Sequence, residues 1–315
     1  MSTHSPWASL PYHEWSSTKR TLQMTLQMLG KLKLALLPPQ PEWLHTALQV
    51  TAHGWTTGAV PTGDGRLIEG GVDVFAGTVW LQVSDGRRED LGLPDTSVAS
   101  VWSWFTRTLG ALDVEADLWE KPQEVADTTP FSENTHDATF VVEHAQRFHS
   151  VLAGVQSIFE EFRSEYFGRS GVQFWWGAFD LAVLLFNGKH AVAPDDRGYI
   201  MRYDLDAEHL NAGFWPGDDE SPQPVFYAYL VPQPPGCALA QLDADGAAWI
   251  EQMGEWVLPY EVVRTSPQPA VLLRSFLDSA YRLAGELGGW DLADFRYVKP
   301  LVSSRNARPR TVSER

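Results

Sequence analysis

The sequence predicts an α+β chain made of two similar units, each running helix, antiparallel strands, helix. Three observations predict it. Apolar residues recur at helical spacing in four segments. Between these segments lie short alternating stretches broken by Asp-Gly, Asn-Gly and single Gly turns, which is the pattern of antiparallel strands. A polar stretch holding Pro122 and Pro130 divides the chain near its middle. The expected organisation is a sheet-plus-helix unit over 1–118, a linker over 119–135, a second unit over 136–300 and a disordered basic tail over 301–315. The repeated order suggests a pseudo-duplication with a ligand cleft between the units. The alternative is an irregular α+β domain whose order repeats by coincidence.

The elements follow in order. Ser16, Ser17 and Thr18 offer caps for a first helix. Leu22, Leu26, Leu29, Leu32 and Leu36 form its stripe, and Pro38 and Pro39 stop it. From His45 to His53 the pattern alternates as in a strand, with His45, Gln49, Thr51 and His53 on the polar face. Val72 to Ala76 and Thr78 to Ser84 read as a hairpin with Gly77 near its tip. A second helix starts after Pro94-Asp95, with Asp95 or Thr96 as cap, and carries Val98, Val101, Trp102, Phe105 and Leu109. Gly110 ends it, and Asp113 to Leu118 is expected to return as a strand.

The longest helix spans about Val141 to Phe167, with Phe148, Leu152, Val155, Phe159, Phe162 and Tyr166 inward and Gly168 after it. Strands are expected at Val172 to Phe186, bending near Gly177, and near Tyr199 to Tyr203, Asn211 to Trp215 and Val225 to Val231. A last helix covers about Ala270 to Leu287. The tail carries Arg305, Arg308 and Arg310 without an apolar pattern.

Composition excludes several classes. The 315 residues hold 40 acids against 24 bases, a formal charge of −16, with 14 Trp and one Cys. Nucleic-acid binding needs clustered Lys and Arg, so no nucleic-acid partner is expected. One cysteine allows neither a disulfide framework nor a Cys-rich metal site. No apolar run approaches the roughly 18 residues of a membrane span. Met1 to Trp15 lacks the basic start and apolar core of a signal peptide, which leads to the expectation of a cytoplasmic protein. The tryptophans suit a core or an aromatic recognition surface. The sequence carries no dinucleotide fingerprint, Walker loop, His-Glu-x-x-His or Gly-x-Ser-x-Gly.

Four constellations could carry chemistry. Asp180 is the only charge between Gln173 and Phe186, on a strand face with Phe174, Trp176, Ala178 and Ala182. A carboxylate there is costly to ionise unless something donates to it. This marks Asp180 as a general acid or base, or else as a structural cap or salt bridge. The loop from Phe131 ends in His136, a second acid–base candidate, and the long helix adds His144, Arg147 and His149. The spacings His136 to His144 and His144 to His149 fit no one-face helical pair, so no metal is expected. Trp176, Trp215, Tyr227 and Tyr229 could wall a pocket for a ring or cation, or fill an ordinary core. Tyr260, Glu261 and Arg264 precede the last helix; Glu261 and Tyr260 could face the cleft, or Glu261 and Arg264 could be a solvated pair.

Several of these stretches occur together in one family. The chain resembles the bacterial domain-of-unknown-function family DUF5996 across nearly its whole length. The resemblance rests on Gly30 to Leu36, Val50 to Thr57, Asn134 to His136, Arg147-Phe148, Phe174 to Ala182, Ala212 to Gly217, Phe226 to Tyr229 and Leu258 to Glu261. It implies a shared fold and carries no activity across. The chain departs from the family pattern at Thr139, Phe140 and His149.

The expected function is a cofactor-free small-molecule enzyme that hydrolyses, isomerises or cyclises a neutral or cationic, partly aromatic substrate. Asp180, His136 and Glu261 are its proton-transfer candidates. Arg147 would hold a carboxylate or enolate, and His149, Trp176, Trp215, Tyr227 and Tyr260 would line the site. The alternative is a non-catalytic binding or interaction module with a Trp-rich surface.

Overall fold

The computed structural model describes residues 6–192 and 198–297; the Arg-bearing tail lies outside them. Helix α1 (Tyr12–Leu36) is buried almost continuously from Thr18 to Lys33, so it runs through the interior. It begins earlier than its Ser and Thr residues suggest. Pro11 precedes it without a side-chain cap, because Tyr12 and Trp15 are already buried. Thr18, expected as a cap, instead accepts a hydrogen bond from the Val141 N–H at 3.1 Å.

Strands β1 (Gln49–Thr51), β2 (Gly54–Thr56), β3 (Val60–Pro61), β4 (Leu67–Asp73), β5 (Thr78–Val83) and β6 (Arg88–Gly92) form the first antiparallel sheet. Its order is β1-β2-β4-β5-β6, with β3 beside β4. The alternating run before His53 is therefore not one strand; it folds back at Ala52-His53 into a hairpin. The β4–β5 hairpin forms as its turn residues predict. Asp73 Oδ1 accepts from the Phe75 and Ala76 N–H groups at 2.8 and 2.9 Å, and Gly77 takes a φ of 66°. Helix α2 (Val98–Ala111) is capped slightly later than expected: Ser97, not Asp95 or Thr96, accepts from the Ser100 N–H. Asp113 to Leu118 makes no strand.

Residues 119–135, read as a linker, are tied to α1. The Gln27 side chain donates to the Gln123 carbonyl at 2.8 Å and accepts from its N–H at 2.9 Å. Phe131 is fully buried.

Helix α3 (Val142–Arg163) buries Phe148, Leu152, Val155, Phe159 and Phe162 as its stripe predicts. The segment from Val172 to Phe186 is a hairpin. Strands β7 (Gln173–Trp175) and β8 (Asp180–His190) flank a turn over residues 176–179, with Trp175 opposite Asp180. The turn closes through the Phe179 N–H to the Trp175 carbonyl at 2.8 Å. The segment expected as a strand near Tyr199 is helix α4 (Tyr199–Asp204).

Strands β9 (Ala207–Trp215), β10 (Val225–Val231), β11 (Ala248–Ile250) and β12 (Glu255–Pro259) complete the second antiparallel sheet, in the order β11-β12-β10-β9-β8-β7. Helices α5 (Tyr260–Thr265), α6 (Pro269–Glu286) and α7 (Leu292–Phe295) follow. Alternation sorts this sheet cleanly. Leu181, Val183, Leu185, Leu210, Phe214, Phe226 and Leu258 sit on one face, buried, and α3 and α6 pack on this sheet. Asp180, Asn211, Gly213, Tyr227 and Tyr229 lie on the other.

The two sheets meet edge to edge. Leu48, just before β1, and Phe174 in β7 exchange N–H···O bonds of 2.9 Å in both directions. A continuous buried core runs through both halves. The shared antiparallel order of the sheets does not by itself establish an internal duplication. No helix among the described residues is long and apolar enough to cross a membrane.

Candidate functional site

The free face of the second sheet floors a cavity of about 520 Å³. The 176–179 turn, the segment through Gln123 and Glu124, the helical turn at Pro41–Trp43 and α4 supply its other walls. Trp43, Trp119, Trp175, Trp176 and Trp215 line it together with Tyr199, Tyr227 and Tyr229.

Sheet register explains the central contact. Gly213 lies between Ala182 of β8 and Tyr227 of β10. A Cβ at Gly213 would collide with the Tyr227 ring. The bare backbone therefore lets that ring lie across β9, and its hydroxyl donates to Asp180 Oδ2. Asp180 follows Phe179, whose φ of 68° is strained for an aromatic residue. Burial pushes the Asp180 carboxyl up to about 8, against the opposing pull of the Tyr227 hydrogen bond. The Tyr227 hydroxyl is held far above its ordinary range by burial and by Asp180.

Tyr229 stacks on Tyr227 with ring centres 6.2 Å apart. Its hydroxyl accepts from Asn211 Nδ2 at 2.8 Å, whereas Asn211 Oδ1 is buried without a partner. Three further carboxyls line the cavity. Burial raises Asp204 and Glu255 each to about 7, and raises Glu124 as well. The indole N–H groups of Trp43, Trp176 and Trp215 donate to the carbonyls of Ile200, Thr46 and Ala178 at 3.0, 3.0 and 3.1 Å. Trp176 lies over Gly30 of α1, where a Cβ would strike its ring.

The structure thus brings together Asp180, Trp176, Trp215 and Tyr227 of the residues expected from sequence. The other five lie elsewhere. His136 is exposed and sits 2.8 Å from Asp127. Glu261 is an exposed residue of α5, 2.6 Å from Arg264 Nε. Arg147 pairs with Glu14 at 3.2 Å. His149 is buried against Trp55 and Phe75 and bonds the Thr51 carbonyl at 2.7 Å. Tyr260 is buried, packs on Phe214 and Phe226, and donates to the Ala8 carbonyl at 2.8 Å.

Glu124, Asp204, Glu255 and Asn211 were not singled out from sequence. Glu255 had a usable signal, a single charge opening an apolar strand, as with Asp180. Glu124 and Asp204 had none, because only the chain path brings them to the cavity.

The described ligand atoms best grouped for a metal belong to Asp127, His136 and Asp137, within 4.8 Å of one another. Asp137 already accepts from Arg20 at 3.2 Å and from Asn134 at 3.0 Å. A guanidinium at that carboxylate opposes a second cation.

No curated protein and no solved structure matches this chain. One family model does, over residues 7–297, and the chain accordingly belongs to the family of unknown function DUF5996.

Proposed function

We propose that the cavity is the site of a small-molecule enzyme that works by acid–base chemistry without a cofactor. One observation carries the reading: Asp180, with its carboxyl raised to about 8 and hydrogen-bonded by Tyr227, lies on the wall of an aromatic cavity of about 520 Å³. A group with its pKa near neutrality is populated in both forms, so it can give or take a proton. Asp180 would exchange a proton with the bound molecule, and the Tyr227 hydroxyl would hold the carboxyl in place and stabilise its charged form. Asp204 and Glu255 titrate in the same range and would supply the second proton site that His136 and Glu261, lying outside, do not. Hydrolysis, isomerisation and cyclisation can all use such a pair.

A second reading is a non-catalytic ligand-binding module. It draws support from the position of His136 and Glu261 outside the cavity. A Trp-rich interaction surface has little support, since Trp119 alone of the 14 tryptophans is exposed.

The two are separated by incubating wild type and Asp180→Asn with a cell-free metabolite extract and following all masses. The enzyme reading expects one compound to be consumed and a product to appear with wild type only. A compound retained by both proteins without turnover supports the binding module.

A further inference from the structure

The acids on the cavity wall have no base among them. Glu124, Asp180, Asp204 and Glu255 reach it from four separate segments, and no Lys, Arg or His is among its described lining residues. The carboxyls sense one another: Glu124 and Asp204 both raise Asp180, and Glu124 raises Asp204. Lys31 is buried and is not a lining residue; its ammonium bonds Gln123 Oε1 at 3.2 Å and lies 4.9 and 5.7 Å from the ring centres of Trp119 and Trp176.

The neutral groups point the same way. The Trp43, Trp176 and Trp215 N–H groups are engaged with backbone carbonyls, so these residues offer ring faces and no donors. Asn211, only 8% exposed, stands on the wall with Oδ1 unpartnered. An unpartnered buried acceptor calls for a donor. The enclosure is lined by aromatic rings and holds four acids and an unpartnered amide oxygen. Its complement has N–H donors, positive charge and an apolar body.

We propose that the cavity takes an organic cation, an alkyl- or arylammonium compound whose apolar body lies among the aromatic side chains. The proposal rests on the small-molecule reading above and names the ligand class. An anion would meet four carboxyls with no described base to balance it. A bound cation would favour the charged form of these carboxyls, which burial and their mutual repulsion oppose in the empty cavity. An ammonium satisfies both the carboxyls and Asn211 Oδ1.

Calorimetric titration of the full chain with phenethylammonium, phenethyl alcohol and phenylacetate tests this, because the three differ chiefly in charge. The expected result is that phenethylammonium binds at least about tenfold tighter than the alcohol, while phenylacetate does not bind. Glu124→Gln should weaken the ammonium several-fold and leave the alcohol unchanged; Glu124 lies in a loop and the amide matches its size, so the fold tolerates the change. Ala178→Trp, which fills the cavity from its turn, should abolish all binding. Equal or tighter binding of the alcohol or phenylacetate, lost in Ala178→Trp, overturns the cation and leaves the small-molecule site standing. Binding that survives Ala178→Trp, or no binding by any of the three probes, overturns both.

Discussion

At the residue scale the site depends on a contact across an empty position. Tyr227 reaches Asp180 only because Gly213 has no side chain between them. Gly213→Ala should therefore lift the ring off its partner and cost about 1–3 kcal/mol by urea unfolding, as overpacking does. Tyr227→Phe should cost a similar amount, about 1–3 kcal/mol, by leaving a buried carboxyl without its donor. A ΔΔG near zero in both would mean that the hydrogen bond is not held in solution. Asp180 was legible in the sequence because one charge in a long apolar run must have a reason to be there. His136, Glu261 and Arg147 looked equally chemical, yet they pair with Asp127, Arg264 and Glu14. Local sequence cannot distinguish a surface ion pair from a cavity group; only the tertiary path does.

At the element scale, α1 supports the site from behind. Gly30 gives its surface a hollow for the Trp176 indole, and Thr46 receives that indole's N–H. Gly30→Ala raises helix propensity by about 1 kcal/mol in isolation. Here it should destabilise instead, because a methyl and the indole cannot share the space. Thermal unfolding would show it, and a higher melting temperature than wild type would contradict the packing. The long helices were readable because each shows a sustained apolar stripe. The α4 segment was not. Tyr199 to Tyr203 reads as a strand, but the two tyrosines are four apart and meet edge to face with ring centres 5.2 Å apart, as neighbours on one helical face do. The hairpin at residues 176–179 was read as a bend because strand residues flank it on both sides and only Gly177 marks the reversal.

At the scale of the whole molecule, the buried acids set a pH dependence. Asp180 is raised to about 8, Glu42 to about 9, and Asp204 and Glu255 to about 7, each mainly by burial. Unfolded, all four ionise near their ordinary values of 3.8 to 4.5. The folded state therefore holds more protons in between, and its stability falls as pH rises through that interval. His209 works in the opposite sense. Burial lowers it to about 4 from 6.5, so its contribution is complete above about 6.5 and is lost as pH falls toward 4. Lys19, Lys31 and Lys33, lowered to about 8 from 10.5, add stability only above about 8. Between about 6.5 and 8 the acids dominate, and the unfolding temperature should drop across that window at constant ionic strength. Calorimetric scans in matched buffers check this; an unfolding temperature that climbs through the window would contradict the buried positions of the acids.

The join at Leu48 and Phe174 has a consequence for how the protein behaves in company. Three-residue strands such as β1 and β7 would each leave a row of unpaired backbone groups, a template onto which another chain could add. The Leu48–Phe174 bridge joins these two edges to each other where they meet. Of the edges that remain, β3 and β11 are only two and three residues long. β6 presents Arg88, Glu89 and Asp90 outward, with Arg88 and Asp90 held together at 2.7 Å. The bond that unites the two halves thus also covers backbone groups that either sheet alone would offer to a neighbouring chain.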